Sequence, residues 1–283
     1  MTSSPQAKAS RLNELGVRAL SAAVLIPAAL LAVLQAPAHG GARGSWAFLA
    51  LMGAGVIALG LEWGKMSEPR APVRVGVAVV VGVLVSVLAA WLDAFSVAFV
   101  LLVFCAAAAG LFARLLGSAP IDAAYGVLYI GWPCVVLVWL RLQPDGLGWT
   151  VMLFAIAWAA DISAYLLGSL LKGPRLWPRF SPNKTWSGFL GGLIAGVLAA
   201  VAVAGLMDIG LSPRLAALVG LVAALATMAG DLWESALKRR FGVKDAGQLI
   251  PGHGGLLDRV DGMMFAVVAL AASRLAVHAL ELA

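Results

Sequence analysis

"FSVAFVLLVFCAAAAGLFARLL", residues 95–116, carries no charge before Arg114. As a helix it would be roughly 33 Å long at 1.5 Å per residue. That is enough to cross a hydrocarbon core of about 30 Å. The rest of the chain repeats the pattern. Of its 283 residues, 62% are hydrophobic and only 12% are charged, whereas a soluble domain carries about 25% charged residues. A soluble globular fold is excluded on composition. A membrane β-barrel would need short segments of alternating polarity, and the runs here are long and continuously apolar. The expected fold class is all-α, a polytopic integral membrane protein.

Working outward from residues 95–116, comparable runs fall at about 17–36, 46–66, 73–92, 123–141, 148–171, 187–207, 214–230 and 260–280, giving about nine transmembrane helices. Lys and Arg set the expected orientation, because cytoplasmic loops are enriched in them. With nine spans, sixteen Lys and Arg share the side of the N-terminus and three (Arg43, Arg141, Arg214) lie opposite. The N-terminus is therefore expected in the cytoplasm. Residues 1–116 read as an N-terminal membrane scaffold. Residues 117–283 read as a catalytic membrane region with cytoplasmic loops 172–187 and 236–259. The net charge of +6 follows from this topology and from anionic lipid, so no nucleic-acid partner is expected. Cys105 and Cys134 fall inside spans and read as packing residues. The start, with its basic residues, apolar run and Ala36-Pro37-Ala38, resembles a signal peptide but reads here as the first span.

Most spans read as scaffold. Gly188, Gly192, Gly196, Ala200 and Ala204 form a stripe of small residues for close helix packing, within the chain or between copies. Gly53-Ala54-Gly55-Val56-Ile57-Ala58 matches a dinucleotide fingerprint only in letters, since it lies inside a span with no strand before it. Asp161 is different. A carboxylate in the middle of a span costs at least about 2.5–3.5 kcal/mol, so it needs a wet cavity, a cation or a polar partner. Trp158, Asp161, Tyr165 and Gly168 share its helix face. Asp231, Glu234, Ser235 and Lys238 form a second polar stripe at the end of the eighth span.

Between the last two spans runs "KRRFGVKDAGQLIPGHGGLLDRVDG", residues 238–262, dense in charge and glycine. Gly252, Gly254 and Gly255 permit positive φ and close backbone approach to a ligand. Free N–H groups at the start of the next helix favour an anion such as phosphate. Asp258 and Asp261, three residues apart, can face the same way. Asp231, Glu234, Asp245, Asp258 and Asp261 gather near one membrane face, where they would repel one another unless cations compensate. Mg²⁺ takes one or two carboxylates and completes its shell with water and phosphate oxygens. Carboxylates on two helices with Lys and Arg alongside are the parts for phosphoryl or nucleotidyl transfer. A second insert, "RFSPNKTWSG" at 179–188, suits a helix start with Ser181 as N-cap and Pro182 at the first position. Lys184 would then lie in the first turn, beside free N–H groups.

The run Ser235-x-Leu237-Lys238-Arg239, Lys244-Asp245, Gly247, Ile250-Pro251-x-His253-Gly254-Gly255, Asp258-Arg259-x-Asp261 resembles the full signature of the phosphatidate cytidylyltransferase (CDP-diacylglycerol synthase) family. "DISAYLLG" with Asp161 and "SPNKTWSG" with Ser181, Lys184 and Thr185 resemble the family's outlying motifs. Ser187 departs from the Glu or Gln expected before the glycine. The motifs span about 160–262, and the first 150 residues agree only in being hydrophobic. The resemblance implies the reaction of CTP with phosphatidate to give CDP-diacylglycerol and pyrophosphate for phospholipid synthesis. It implies Mg²⁺, admits a second, monovalent cation, and implies a homodimer in the lipid bilayer of a bacterial inner membrane, with the site on the cytoplasmic side. Carried onto this chain, it gives Asp231, Asp258 and Asp261 as metal carboxylates. Asp231, Asp245, Asp258, Lys238 and Lys244 are then the catalytic residues. Asp161, Ser181, Lys184, Thr185, Ser235, Arg239, His253, Gly254, Gly255 and Arg259 would contact substrate. Two rival readings are an ion-coupled transporter, which also buries acids, and another metal-dependent lipid phosphotransferase, whose Asp residues would be denser within one segment.

Overall fold

The computed structural model describes residues 27–35, 45–178, 181–250 and 254–281. It is an all-α polytopic membrane fold. The helices are α1 (described over 27–34), α2 (Trp46–Ser67), α3 (Pro72–Trp91), α4 (Phe95–Leu115), α5 (Pro120–Leu142), α6 (Gly146–Leu171), α7 (Trp186–Met207), α8 (Pro213–Arg240) and α9 (Leu257–Glu281). Among the described residues, eight helices are long and apolar enough to cross a membrane. They fall where the apolar runs place them. The first expected span, 17–36, lies mostly outside the described residues.

One insert differs from expectation. Residues Arg175–Trp177 (β1) and Ser181–Thr185 (β2) pair as an antiparallel hairpin, with Arg175 opposite Thr185 and Trp177 opposite Ser181. Ser181 and Pro182 therefore do not start a helix. Strand pairing takes their backbone, and the helix begins at Trp186 with Thr185 as its N-cap. The Thr185 hydroxyl accepts the Gly188 N–H at 3.1 Å. Lys184 thus stands on a strand, not in a helical first turn.

Among the described residues, the helices make two large apolar cores that share α5 and α9, beside a small cluster of Val75, Ala113 and Ala123. One joins α2, α3, α4 and α5 to Leu237, Ala246, Leu257 and Met264. The other joins α5, α6, α7, α8 and the later turns of α9. The small-residue stripe of α7 serves packing within the chain. A Cβ on Gly188 would come 2.6 Å from the Ala164 carbonyl, and one on Gly192 would come 2.9 Å from the Ala160 carbonyl, both on α6. A Cβ on Gly196 would come 2.7 Å from Ala224 of α8. The fingerprint-like glycines Gly53 and Gly55 sit inside α2, as the absence of a preceding strand requires.

Candidate active site

α8 has 28 residues, roughly 42 Å of helix at 1.5 Å per residue. It therefore outruns a hydrocarbon core of about 30 Å and carries Asp231, Glu234 and Lys238 on one continuous helix. It ends in the hydrogen-bond pattern that a left-handed glycine provides. Val243 N–H donates to the Lys238 carbonyl at 2.9 Å and Gly242 N–H to the Arg239 carbonyl at 3.2 Å, with Gly242 at φ +72°. The connecting segment to α9 is therefore 241–256, shorter at both ends than the expected loop of 236–259.

Two glycines bring the acids together. A Cβ on Gly230 of α8 would come 2.5 Å from the Asp261 carbonyl, and one on Gly262 of α9 would come 2.8 Å from Thr227. The helices touch backbone to backbone there, which sets Asp231 beside Asp261. Asp261 lies within electrostatic range of Asp231, Glu234 and Asp161. Asp161, exposed on α6, in turn lies in range of Lys184 and Arg259. The carboxylate in the middle of its span therefore has cations within range, which answer the cost that the nearby acids of α8 and α9 would otherwise increase.

Cations reach the cluster from two sides. Lys184, on β2, forms an ion pair with Asp231. Lys238 bridges two acids, with Nζ 2.5 Å from Glu234 Oε2 and 2.7 Å from Asp258 Oδ1. The Glu234 side chain is 0% exposed, so without this lysine it would be an uncompensated buried charge.

Asp258 is not held in unrelieved repulsion. Besides Lys238, it accepts the Ala246 N–H at 3.2 Å on Oδ1 and 3.1 Å on Oδ2, and the Gly255 N–H at 3.1 Å. Two of the N–H groups at the start of α9 are also closed to phosphate. Leu256 N–H donates to Glu62 Oε1 at 2.9 Å and Leu257 N–H to Glu62 Oε2 at 2.8 Å. Glu62 comes from α2 and is only 3% exposed. The glycines have matching reasons. Gly254 has φ +85° and bridges to Ile250, whose N–H donates to its carbonyl at 2.9 Å. A Cβ on Gly247 would come 2.6 Å from Glu62 Oε1, and one on Gly255 would come 2.9 Å from Asp258 Oδ2. Close backbone approach is required here, but toward two carboxylates of the protein itself.

The remaining predicted residues divide. Thr185 caps α7, and its hydroxyl lies 3.0 Å from that of Ser187, which accepts the Gly173 N–H at 3.4 Å. The serine at the departing position thus ties the base of the hairpin. Ser235 is half-buried on α8. Arg239, Lys244 and Asp245 are exposed, and among the described residues no hydrogen bond or ion pair joins them to the acids. His253 lies outside the described residues. No three described His, Cys, Asp or Glu side chains converge as a ready-made metal cage, so Asp231, Asp258 and Asp261 do not form a closed three-carboxylate site.

Sequence reading missed Glu62. It also missed Asp122, whose Oδ1 lies 2.5 Å from Arg240 Nη2, and Tyr125, whose hydroxyl accepts from the Trp233 indole at 2.8 Å. All three come from the half of the chain that carries no motif. A glutamate inside the apolar run of α2 was the one available signal, by the same reasoning that singled out Asp161.

The profile of the cytidylyltransferase family matches residues 16–276. The chain belongs to the cytidylyltransferase family. Among curated proteins, it is 48% identical over 152 residues to a phosphatidate cytidylyltransferase of Brucella abortus biovar 1 (strain 9-941), covering 52% of this chain and 54% of that one. It is 39% identical over 145 residues to a phosphatidate cytidylyltransferase of Staphylococcus haemolyticus (strain JCSC1435), covering 51% and 56% respectively. The matched segment thus spans about half the length of these relatives. In this member of the cytidylyltransferase family, the acids of α8 and α9 are met by two lysines, Lys184 and Lys238.

Proposed function

We propose that this cytidylyltransferase transfers a cytidylyl group from CTP to phosphatidate, giving CDP-diacylglycerol and pyrophosphate. The observation that carries the reading is the meeting of Asp161, Asp231, Glu234 and Asp261 with Lys184 and Lys238 where α6, α8, α9 and the hairpin come together. The names of the curated relatives support the choice of substrates. A phosphate oxygen of phosphatidate attacks the α-phosphorus of CTP, a new P–O bond forms, and the bond to the β-phosphate breaks. A phosphomonoester is mostly dianionic near neutral pH, its second pKa being about 6, so the attacking oxygen needs no strong base. Acyl chains stay in the bilayer, which accounts for a reaction centre at a membrane face.

The donor set suits Mg²⁺, which needs only one or two carboxylates. Asp231 and Asp261, adjacent across α8 and α9, would hold it; Asp258 would join them only by exchanging its bonds to Lys238, Ala246 and Gly255, and the metal would supply charge to offset that of the triphosphate. A second, monovalent cation is compatible with the surplus of acids. Lys184 and Lys238 neutralise acids in the resting protein, and the same ammonium groups are placed to meet phosphate. The reading puts the site on the cytoplasmic side of a bacterial inner membrane, supported by sixteen Lys and Arg on that side against three. A homodimer rests on the family resemblance alone.

Incubating the purified protein with labelled CTP, phosphatidate and Mg²⁺ tests the reading. CDP-diacylglycerol and pyrophosphate should form in equal amounts. A transporter would give no product, and an alcohol phosphatidyltransferase would require CDP-lipid as its substrate.

A further inference from the structure

We propose that Glu62, on α2 and far from every motif, is a positioning residue for cytidylyl transfer: it holds the start of α9 so that Asp258 and Lys238 keep their alignment. The inference rests on the function proposed above. Glu62 takes the N–H groups of Leu256 and Leu257, the two residues directly before Asp258. Asp258 then takes the Gly255 and Ala246 N–H groups and the Lys238 ammonium. Lys238 reaches on to Glu234. Glu62 and Asp258 thus grip adjacent stretches of one backbone, 255–257, and the Lys238 ion pairs carry the contact on to the acid cluster.

The loop is built around this contact. Gly247 and Gly255 sit so close to the Glu62 carboxylate that a Cβ would lie 2.6 Å from Oε1 at the first and 3.0 Å from Oε2 at the second. Glu62 is buried, and a buried carboxylate is costly unless its oxygens are satisfied. It is satisfied only while 255–257 holds its present conformation. Charged acceptors at a helix start also orient that helix through its dipole. Without Glu62 the Leu256 and Leu257 N–H groups lose their acceptor and the start of α9 has room to shift, and a displacement of about 1 Å can cost on the order of 100-fold in rate.

Glu68 supplies the control. It lies one turn and a half further along the same chain, is also buried, and also accepts backbone N–H groups, from Ala119 at 3.1 Å and Arg70 at 3.3 Å. It faces the start of α5 and touches nothing in the acid cluster.

The experiment compares wild type, Glu62→Gln, Glu62→Asp and Glu68→Gln in detergent or vesicles. It measures kcat and KM for CTP, thermal stability, and hydrogen exchange of the peptide spanning 244–258. Glu62→Gln keeps the size of the side chain but replaces one acceptor oxygen with a donor. It should lower kcat by roughly 10- to 100-fold, the scale for groups that orient direct ligands, with KM for CTP changed by less than about threefold. Exchange at 254–257 should rise while peptides of α3 and α4 stay unchanged. Glu62→Asp keeps both oxygens and should recover part of kcat; it also carries the test if the glutamine variant does not fold. Glu68→Gln should lose stability without losing kcat. Wild-type kcat and unchanged exchange in Glu62→Gln would overturn the inference. So would equal losses of kcat and stability in the Glu62 and Glu68 variants. A wild-type protein that makes no CDP-diacylglycerol would instead sink the proposed function, while the exchange arm would still report whether Glu62 holds the loop.

Discussion

The two inserts that meet at the acid cluster are held in opposite ways. The hairpin of 172–185 is held mainly by its own neighbours in sequence. Its strands pair with each other, Trp186 N–H donates to the Pro174 carbonyl at 2.9 Å, Arg175 donates to the Asn183 carbonyl at 3.2 Å, and Thr185 and Ser187 close its base. Among its described residues, the segment 241–256 has almost no pairing of its own beyond the bridge between Ile250 and Gly254. Its Ala246, Gly255 and Leu256 N–H groups are taken by carboxylates of α2 and α9. The difference teaches that similar motifs can be built with very different reach: one insert is a local structure that presents a lysine, the other exists only as part of the whole bundle.

Breaking the dependent insert should have the largest effects. Asp258→Asn removes a charge that serves Lys238 and two backbone N–H groups together. Turnover in the cytidylyl assay should fall by at least about 1000-fold. Because charge-assisted hydrogen bonds contribute about 1.5–3 kcal/mol each, the variant should also melt several degrees lower. An unchanged or raised melting temperature would mean that acid–acid repulsion outweighs these bonds.

Gly247→Ala is the sharper probe of the loop, since it adds one methyl group directed at Glu62 Oε1. Turnover should drop by on the order of 100-fold, with loosened exchange confined to 244–258. Wild-type activity would show that the loop can recede without disturbing Asp258.

The hairpin should respond more mildly. Lys184→Met removes the ion pair with Asp231 and one cation for phosphate. KM for CTP should rise by about tenfold, corresponding to the loss of one interaction of about 1.4 kcal/mol, while hydrogen exchange in the 241–256 loop stays as in wild type. Thr185→Ala removes only an N-cap, typically about 1 kcal/mol. It should lower thermal stability slightly and change kcat by less than about threefold. A large kcat loss in Thr185→Ala would show that the hairpin also depends on long-range order, and the contrast would fail.

Legibility in the sequence followed the same divide. The spans were readable because lipid demands long apolar runs, and Pro120, Pro213 and Trp46 open helices within a few residues of where hydropathy changes. The end of α8 was not readable from hydropathy, because its last turns are polar and lie beyond the apolar part. Its glycine stop at Gly242 was the better mark. The acid cluster was readable because Asp161 and Asp231 stand out against apolar neighbours. The role of Gly247 and Gly255 was not, because close approach to a ligand and close approach to Glu62 leave the same letter in the sequence. The helix start assigned to Ser181 failed for a related reason: a Ser-Pro pair serves an N-cap and an edge strand equally well, and only the partner strand decides.

The separation of 194 residues between Glu62 and Leu256 has a consequence for how the molecule is made. Chains grow at about 5–20 residues per second, so α2 is synthesised roughly 10–40 s before the backbone groups that satisfy its carboxylate. During that interval the Glu62 oxygens lack the backbone N–H groups that take them in the finished bundle. The Glu62 contacts can close only after residue 257 has emerged, so no product that stops before α9 can hold the 241–256 segment in its finished form.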